Sequence, residues 1–225
     1  MISASPLGRA IQEVRSEIGL RTTGSQKLPP RTITPQAHEF FVLEGNDPTT
    51  SRDWGEFLVR FRQSIKSVGF DLEKAKGIAA ALGEMADNAS VHSNAPVGVL
   101  VGYQVIDRAA VCCVADVGDG VLKSLTTHEA YHHVRSHKDA VRLALRRGVS
   151  RFGPGQGGFG FYNVFKSLAA MSGTLRFRSG EGCVTMDGTD FEADKGEESY
   201  VLFRSGFQVT ICCRVSNGAD PLPLV

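Results

Sequence analysis

Apolar residues recur along this chain with two different periods, and the switch between them marks its elements. Between Asp71 and His92, Leu72, Ala75, Ala79, Leu82, Ala86 and Ala89 fall at alternating steps of three and four. That spacing predicts a long amphipathic helix packed on a sheet, with Asp71 as its N-cap. Just upstream, Trp54, Phe57, Leu58, Phe61 and Ile65 repeat the pattern after the turn-forming stretch Asn46 to Ser51. Beyond Pro96 the period changes to two: Val97, Val99, Val101, Tyr103 and Val105 alternate, and Asp107-Arg108 separates them from a second apolar run, Ala109 to Ala115. A β-hairpin follows from that arrangement.

From Val121 to Gly157 one helix is expected, ending near Arg147 with Gly148 as its cap, in polar and glycine-rich surroundings that suit a mobile cover. Phe161, Val164, Phe165, Leu168 and Met171 predict a further helix stopped at Gly173. Thr174 to Arg178, Cys183 to Asp187, Tyr200 to Arg204 and Phe207 to Cys213 have strand character, as does His38 to Glu44. At the start, Leu7, Ile11, Val14 and Ile18 suggest a short helix before a linker over residues 22–35. The domain division expected is an N-terminal extension and linker over 1–50, one folded domain over 51–215 and a tail over 216–225. Strands and helices are segregated rather than alternating, so the fold class expected is α+β: a two-layer sandwich with a mixed, mainly antiparallel sheet packed on helices.

Composition narrows the function without choosing it. The 225 residues can bury one substantial core, and a net charge of +1 supplies no global attraction to nucleic acid or to an acidic membrane. Nothing approaches the roughly 20 consecutive apolar residues of a spanning helix. The five cysteines stand as Cys112-Cys113, Cys183 and Cys212-Cys213, without CxxC spacing or a signal peptide before them. They are expected as buried small hydrophobes in a reducing, cytoplasmic setting.

Three segments can carry chemistry. On the long helix Glu84, Asn88 and His92 are four apart and share a face. Asp116-Val-Gly118-Asp-Gly120 begins where the second hairpin strand ends, and Gly155-Gln-Gly157-Gly158-Phe-Gly160-Phe runs into the next expected helix. Any one of these would be commonplace: a surface helix, a turn, a loop. Between the second and third, His128, His132, His133 and His137 accompany Arg135, Lys138, Arg142, Arg146, Arg147 and Arg151. On a helix the histidines would offer i, i+4 pairs, but no carboxylate arrangement completes a metal site. The basic face suits solvent, a triphosphate or an acidic partner, and the lack of interleaved aromatics argues against nucleic acid.

In order and spacing, the three segments over residues 52–214 resemble the three nucleotide-binding boxes of the GHKL superfamily, which includes gyrase, mismatch-repair ATPases, histidine kinases and anti-sigma serine kinases. Ser172-Gly-Thr-Leu-Arg-Phe-Arg-Ser-Gly-Glu-Gly and Gly206-Phe-Gln-Val-Thr-Ile likewise resemble the closing strands of a histidine-kinase ATPase domain. The resemblance implies the Bergerat-type ATP-binding fold, with ATP and magnesium as ligands. It assigns Asn88 to magnesium, Glu84 to the general base, Asp116 to the adenine amino group, Gly118 and Gly120 to backbone passing beneath the base, and His92 to the end of the helix box. Gly155, Gly157, Gly158 and Gly160 would cradle the phosphates with unobstructed backbone N–H groups. That last segment departs from the usual kinase form, with Phe159 and Phe161 at its hydrophobic positions and one shifted glycine.

With no phosphoacceptor-histidine hairpin or receiver-like segment recognisable, the resemblance points to a cytoplasmic regulatory module that phosphorylates a protein partner in trans. Two other uses of bound ATP fit the same residues. One is a nucleotide-gated protein-binding switch without productive catalysis; the other is a slow hydrolase that forms a homodimer through its N-terminal extension.

Overall fold

The computed structural model describes residues 37–43, 51–95, 98–150, 152–155, 164, 173–187 and 196–215. Helix α1 (Arg52–Ser67) starts where the Ser51 hydroxyl accepts the Trp54 N–H at 3.1 Å. It buries Trp54, Phe57, Phe61 and Ile65 on one face. Gly69, at φ +102°, lets the chain turn out of it. Helix α2 (Leu72–His92) starts as the sequence predicts, with the Asp71 carboxylate accepting the Lys74 N–H at 2.8 Å. Ala75, Ala79, Ala86 and Ala89 are buried beside Ile78, Leu82 and Met85, so the face that meets the sheet is mostly small side chains. Leu72 is the exception in the predicted stripe: it lies in the first turn, beyond the sheet, and is 44% exposed.

Strands β1 (Ala37–Leu43), β2 (Val99–Ile106), β3 (Ala109–Ala115), β4 (Thr174–Asp187) and β5 (Glu197–Arg214) form one sheet in the order β1-β2-β3-β5-β4. Every neighbouring pair is antiparallel, so among the described residues the sheet is not mixed. The protein is an α+β sandwich of this sheet and helices. The β2–β3 hairpin turns through Asp107 and Arg108, at φ +46° and +66°, a left-handed pair that matches the twist of the strands it joins. Inward positions of all five strands join α1 and α2 in one core, with Val101, Val114, Phe177 and Ile211 at its centre. Cys112 and Cys213 point into that core, and all five thiols are free. Burial pushes the Cys213 thiol up to about 12 and that of Cys113 to about 11, which suits apolar packing rather than redox chemistry.

Three sequence expectations change. β1 lies in the stretch assigned to an extension and linker, yet it is the edge strand. Phe41 packs on Trp54 and Phe57 at ring separations of 5.6 and 5.5 Å, and Glu39 accepts both the Arg60 guanidinium and the Tyr103 hydroxyl. The folded unit therefore begins before residue 51. The four closing strands are two long ones, bent at a register shift around Gly180 and Gly182 that the strand pattern alone does not reveal.

The single helix expected over 121–157 is three short pieces: α3 (Gly120–Leu125), a 3-10 turn (Glu129–Tyr131) and α4 (His137–Ala144). Leu125, Tyr131, Val134 and Ala140 make a small core of their own. Helix α4 is fixed to the strands rather than free as a cover. Lys138 and Arg142 both reach Glu198, at 2.9 and 3.1 Å, and a Cβ on Gly182 would stand 2.6 Å from the His137 carbonyl oxygen. The histidines are not stacked on one helix: His128 caps the 3-10 turn with Nδ1, while the His137 ring rests 5.6 Å from that of Phe203. The helix near the N-terminus, the tail and all of the helix expected from Phe161 except the helical, buried Val164 lie outside the described residues.

The aromatic junction of α1 with β1 and β2 yields a prediction. Phe57 is fully buried against Phe41, Trp54 and Tyr103. Phe57→Ala lowers the free energy of unfolding by about 3–5 kcal/mol, read from urea melts, and Val59→Ala at an exposed position of the same helix changes it by less than about 0.5 kcal/mol.

Candidate functional site

Asp116 directly follows β3, and its backbone N–H still donates to the Phe207 carbonyl at 3.0 Å, so the ladder with β5 fixes it as firmly as a strand residue. The side chain is 6% exposed. Its Oδ1 accepts the Gly118 N–H at 2.7 Å, closing a tight local turn, whereas Oδ2 is buried without a hydrogen-bond partner among the described residues. An acceptor left open inside a protein carries the full cost of its lost hydration. Burial, the main cause, raises the Asp116 carboxyl to about 7, against the opposing pull of backbone N–H groups at Gly118 and Phe207.

The glycines of this loop act on protein backbone. A Cβ at Gly118 would overlap the Ser93 carbonyl oxygen and stand 2.7 Å from its carbon. At that contact the Asp119 N–H donates to the Ser93 carbonyl at 2.8 Å, and the Asn94 side chain donates to the Asp119 carboxylate at 3.0 Å. Gly118 therefore permits the loop to lie on the C-terminal end of α2, a different role from the one the family resemblance implies. Gly120 needs its left-handed φ of +72° and has Ser179 Oγ and the Gly206 carbonyl within 3.0 Å of where a Cβ would be.

Docking the loop on Ser93 places it at the C-terminal end of the helix that carries the other candidates. Asn88 lies five residues before Ser93 and Glu84 nine, or about 7.5 and 13.5 Å back along the axis at the usual helical rise. Both are half-buried. Asn88 Nδ2 is buried without a partner among the described residues. Burial, followed by the negative charge of Asp87, raises the Glu84 carboxyl above its ordinary range. His92 is half-buried at the helix end, its ring 5.6 Å from that of Phe152.

The contact with Phe152 brings the approach to the third motif against α2. Gly155 is described, and its N–H donates to the Gly148 carbonyl at 2.8 Å. That amide is engaged in a turn, so Gly155 is not an unobstructed phosphate donor; its φ of +75° is what calls for glycine there. Gly157, Gly158 and Gly160 lie outside the described residues.

Two groups missed by motif spacing complete the frame. Ser205 donates its hydroxyl to the Gly118 carbonyl at 3.0 Å, and Ser179, buried in β4, bonds to both Val121 and Gly206. Gly206 has no room for a side chain, because a Cβ would overlap the Asp116 carbonyl oxygen and stand 2.6 Å from Oδ1. Ser179 and Gly206 fall within the two segments that resemble closing strands of a histidine-kinase ATPase domain, but nothing in that pattern gives either of them this role, and Ser205 stands just before the second segment.

The position of the Asp116 titration sets a sign. Between the ordinary carboxylate range and about 7, the folded protein holds a proton that the unfolded chain has lost, so this group makes stability fall as pH rises through that window and leaves it level above. Raising the pH from 5 to 8 should therefore cost the wild type about 2–3 kcal/mol more unfolding free energy than Asp116→Asn, compared by urea melts. Equal pH dependence in the two proteins would contradict it. Comparison with protein-family models gives no match, and no curated protein matches the chain, so its function is inferred from these residues.

Proposed function

We propose that the chain binds ATP with magnesium along α2 and uses it to phosphorylate a protein partner. The observation that carries the proposal is the buried Asp116 Oδ2, without a hydrogen-bond partner among the described residues, in a glycine loop bolted to the helix of Asn88 and Glu84. An ionised carboxylate there accepts a hydrogen bond from an exocyclic amino group, as adenine offers, and rejects the carbonyl of guanine. The magnesium would be held by the Asn88 amide oxygen together with phosphate oxygens, an all-oxygen set this ion favours, and it supplies charge neutralisation at the phosphates. The Asn88 amide nitrogen, which has no partner among the described residues, fits such a role by remaining for a phosphate or water.

Glu84 then stands beyond Asn88, away from the base end of the site. A carboxylate whose affinity for protons has been raised by burial is a better base near neutral pH. It takes the proton from the partner's hydroxyl as that oxygen bonds to the terminal phosphorus, and ADP departs with the electrons of the broken P–O bond. The resemblance of the three motifs to the GHKL boxes supports the same assignment independently of the geometry.

Calorimetric titration tests binding. Wild type takes up magnesium-ATP, and Asp116→Asn weakens it by tenfold to a hundredfold, about 1.5–3 kcal/mol; no heat in the wild type overturns the proposal. With γ-labelled ATP and candidate partner proteins, wild type labels a serine or threonine, while Glu84→Gln binds ATP and labels nothing. Label recovered only as free phosphate identifies a hydrolase instead, and retention of ATP without any turnover identifies a nucleotide-gated switch.

A further inference from the structure

Ser179 is almost wholly buried, at 3% exposure, in the middle of an otherwise apolar strand face. Its hydroxyl accepts the Val121 N–H at 2.9 Å and donates to the Gly206 carbonyl at 2.8 Å. These two bonds reach the two pieces of chain that enclose Asp116. Val121 is the second residue of α3, immediately after the Asp116–Gly120 loop, and Gly206 is the β5 residue pressed against the Asp116 backbone and carboxylate. One hydroxyl, acting as acceptor and donor together, thus sets the distance between the end of the acidic loop and the strand beside it. The loop lies close over it, since a Cβ built on Gly120 would stand 2.8 Å from Oγ.

On the other side Ser179 has a fixed foundation. It adjoins the register shift at Gly180, whose backbone lies against the His137 ring, and α4 is held to β5 by the ion pairs from Lys138 and Arg142 to Glu198. The start of β4 pairs regularly with β5 up to Ser179↔Phe207. Ser179 is therefore the last residue of the regular ladder and the first that can hold the loop.

We infer that Ser179 is a positioning residue for Asp116, which holds the carboxylate at the place where it distinguishes an adenine from a guanine nucleotide; the inference rests on the ATP-binding proposal above. An alanine here removes both bonds, leaves the Val121 N–H and Gly206 carbonyl to find other partners, and frees the loop to shift relative to Asp116. A shifted carboxylate still lies in the pocket, so total nucleotide binding falls less than the discrimination does.

The test is the ratio of ATP to GTP affinities by calorimetry with magnesium, in full-length wild type, Ser179→Ala, Ser179→Thr and Asp116→Asn. The expected result is a preference for ATP in the wild type that drops at least tenfold in Ser179→Ala and returns to within threefold in Ser179→Thr, which keeps the hydroxyl. A loss of packing alone would weaken both nucleotides equally, and a ratio unchanged within twofold in Ser179→Ala overturns the inference. If Ser179→Ala keeps the wild-type ratio while Asp116→Asn loses it, only the role of Ser179 falls; a wild type that binds neither nucleotide removes the ATP proposal as well. Should Ser179→Ala fail to fold, amide exchange on the wild type decides: the Val121 amide slows at least tenfold when ATP saturates the protein, and no change in its rate overturns the inference.

Discussion

The contact on which the rest of the site depends is the close approach of two backbones, Gly118 on the Ser93 carbonyl. It joins the loop after the central strand β3 to the far end of α2 without an intervening side chain, and the Asp119 amide seals it with a 2.8 Å hydrogen bond. Backbone contacts of this kind are stiff, because there is no rotamer to relax, and intolerant, because any Cβ at Gly118 forces the helix and loop apart. The offset of Asn88 and Glu84 along the axis from this contact is consequently set by the rise of one helix rather than by a chain of flexible side chains. That arrangement suits a ligand with two chemically different ends, one carrying a hydrogen-bonding base and the other a run of charged phosphates.

The electrostatic character of Asp116 follows from the same tight packing. Asp116 is surrounded by glycine and small residues, and the loop supplies it with a single side-chain hydrogen bond. Among the described residues its Oδ2 has no partner, and burial raises the carboxyl to about 7. Native proteins rarely keep such an arrangement inside a core, so the cost argues for a function that a satisfied residue could not perform.

Much of the framework is legible from the sequence because it depends on local rules. Asp71 precedes the apolar repeat of α2 and caps it; Asp107-Arg108 interrupts two alternating runs and turns the hairpin; both effects are confined to a few neighbouring residues. Less legible are the features decided by distant partners. The strand at 37–43 pairs with a segment that comes after two helices, so its membership of the sheet depends on Phe41 meeting Trp54 and Phe57. The single helix expected after Val121 breaks because Leu125, Tyr131, Val134 and Ala140 gather into their own small core, an outcome without periodicity. In the candidate site the motif residues Glu84, Asn88 and Asp116 stand out in the sequence by type and spacing, whereas Ser179, Ser205 and Gly206 act through single hydroxyls or the absence of a side chain, and the strand pattern around them does not reveal those roles.

The order of strands also has a consequence for how the chain assembles. Ala37 of β1 pairs with Val105, and Ala109 of β3 with Arg214, so both outer parts of the sheet must wait for segments far away in the sequence. The β2–β3 hairpin, by contrast, closes across two residues and offers a local template. Among the described strands the first to be made, β1, waits through both helices for β2, and β3 waits longer still for β5. Until β2 is made, β1 is an unpaired strand carrying the exposed Phe40 and Val42, a segment open to wrong pairing.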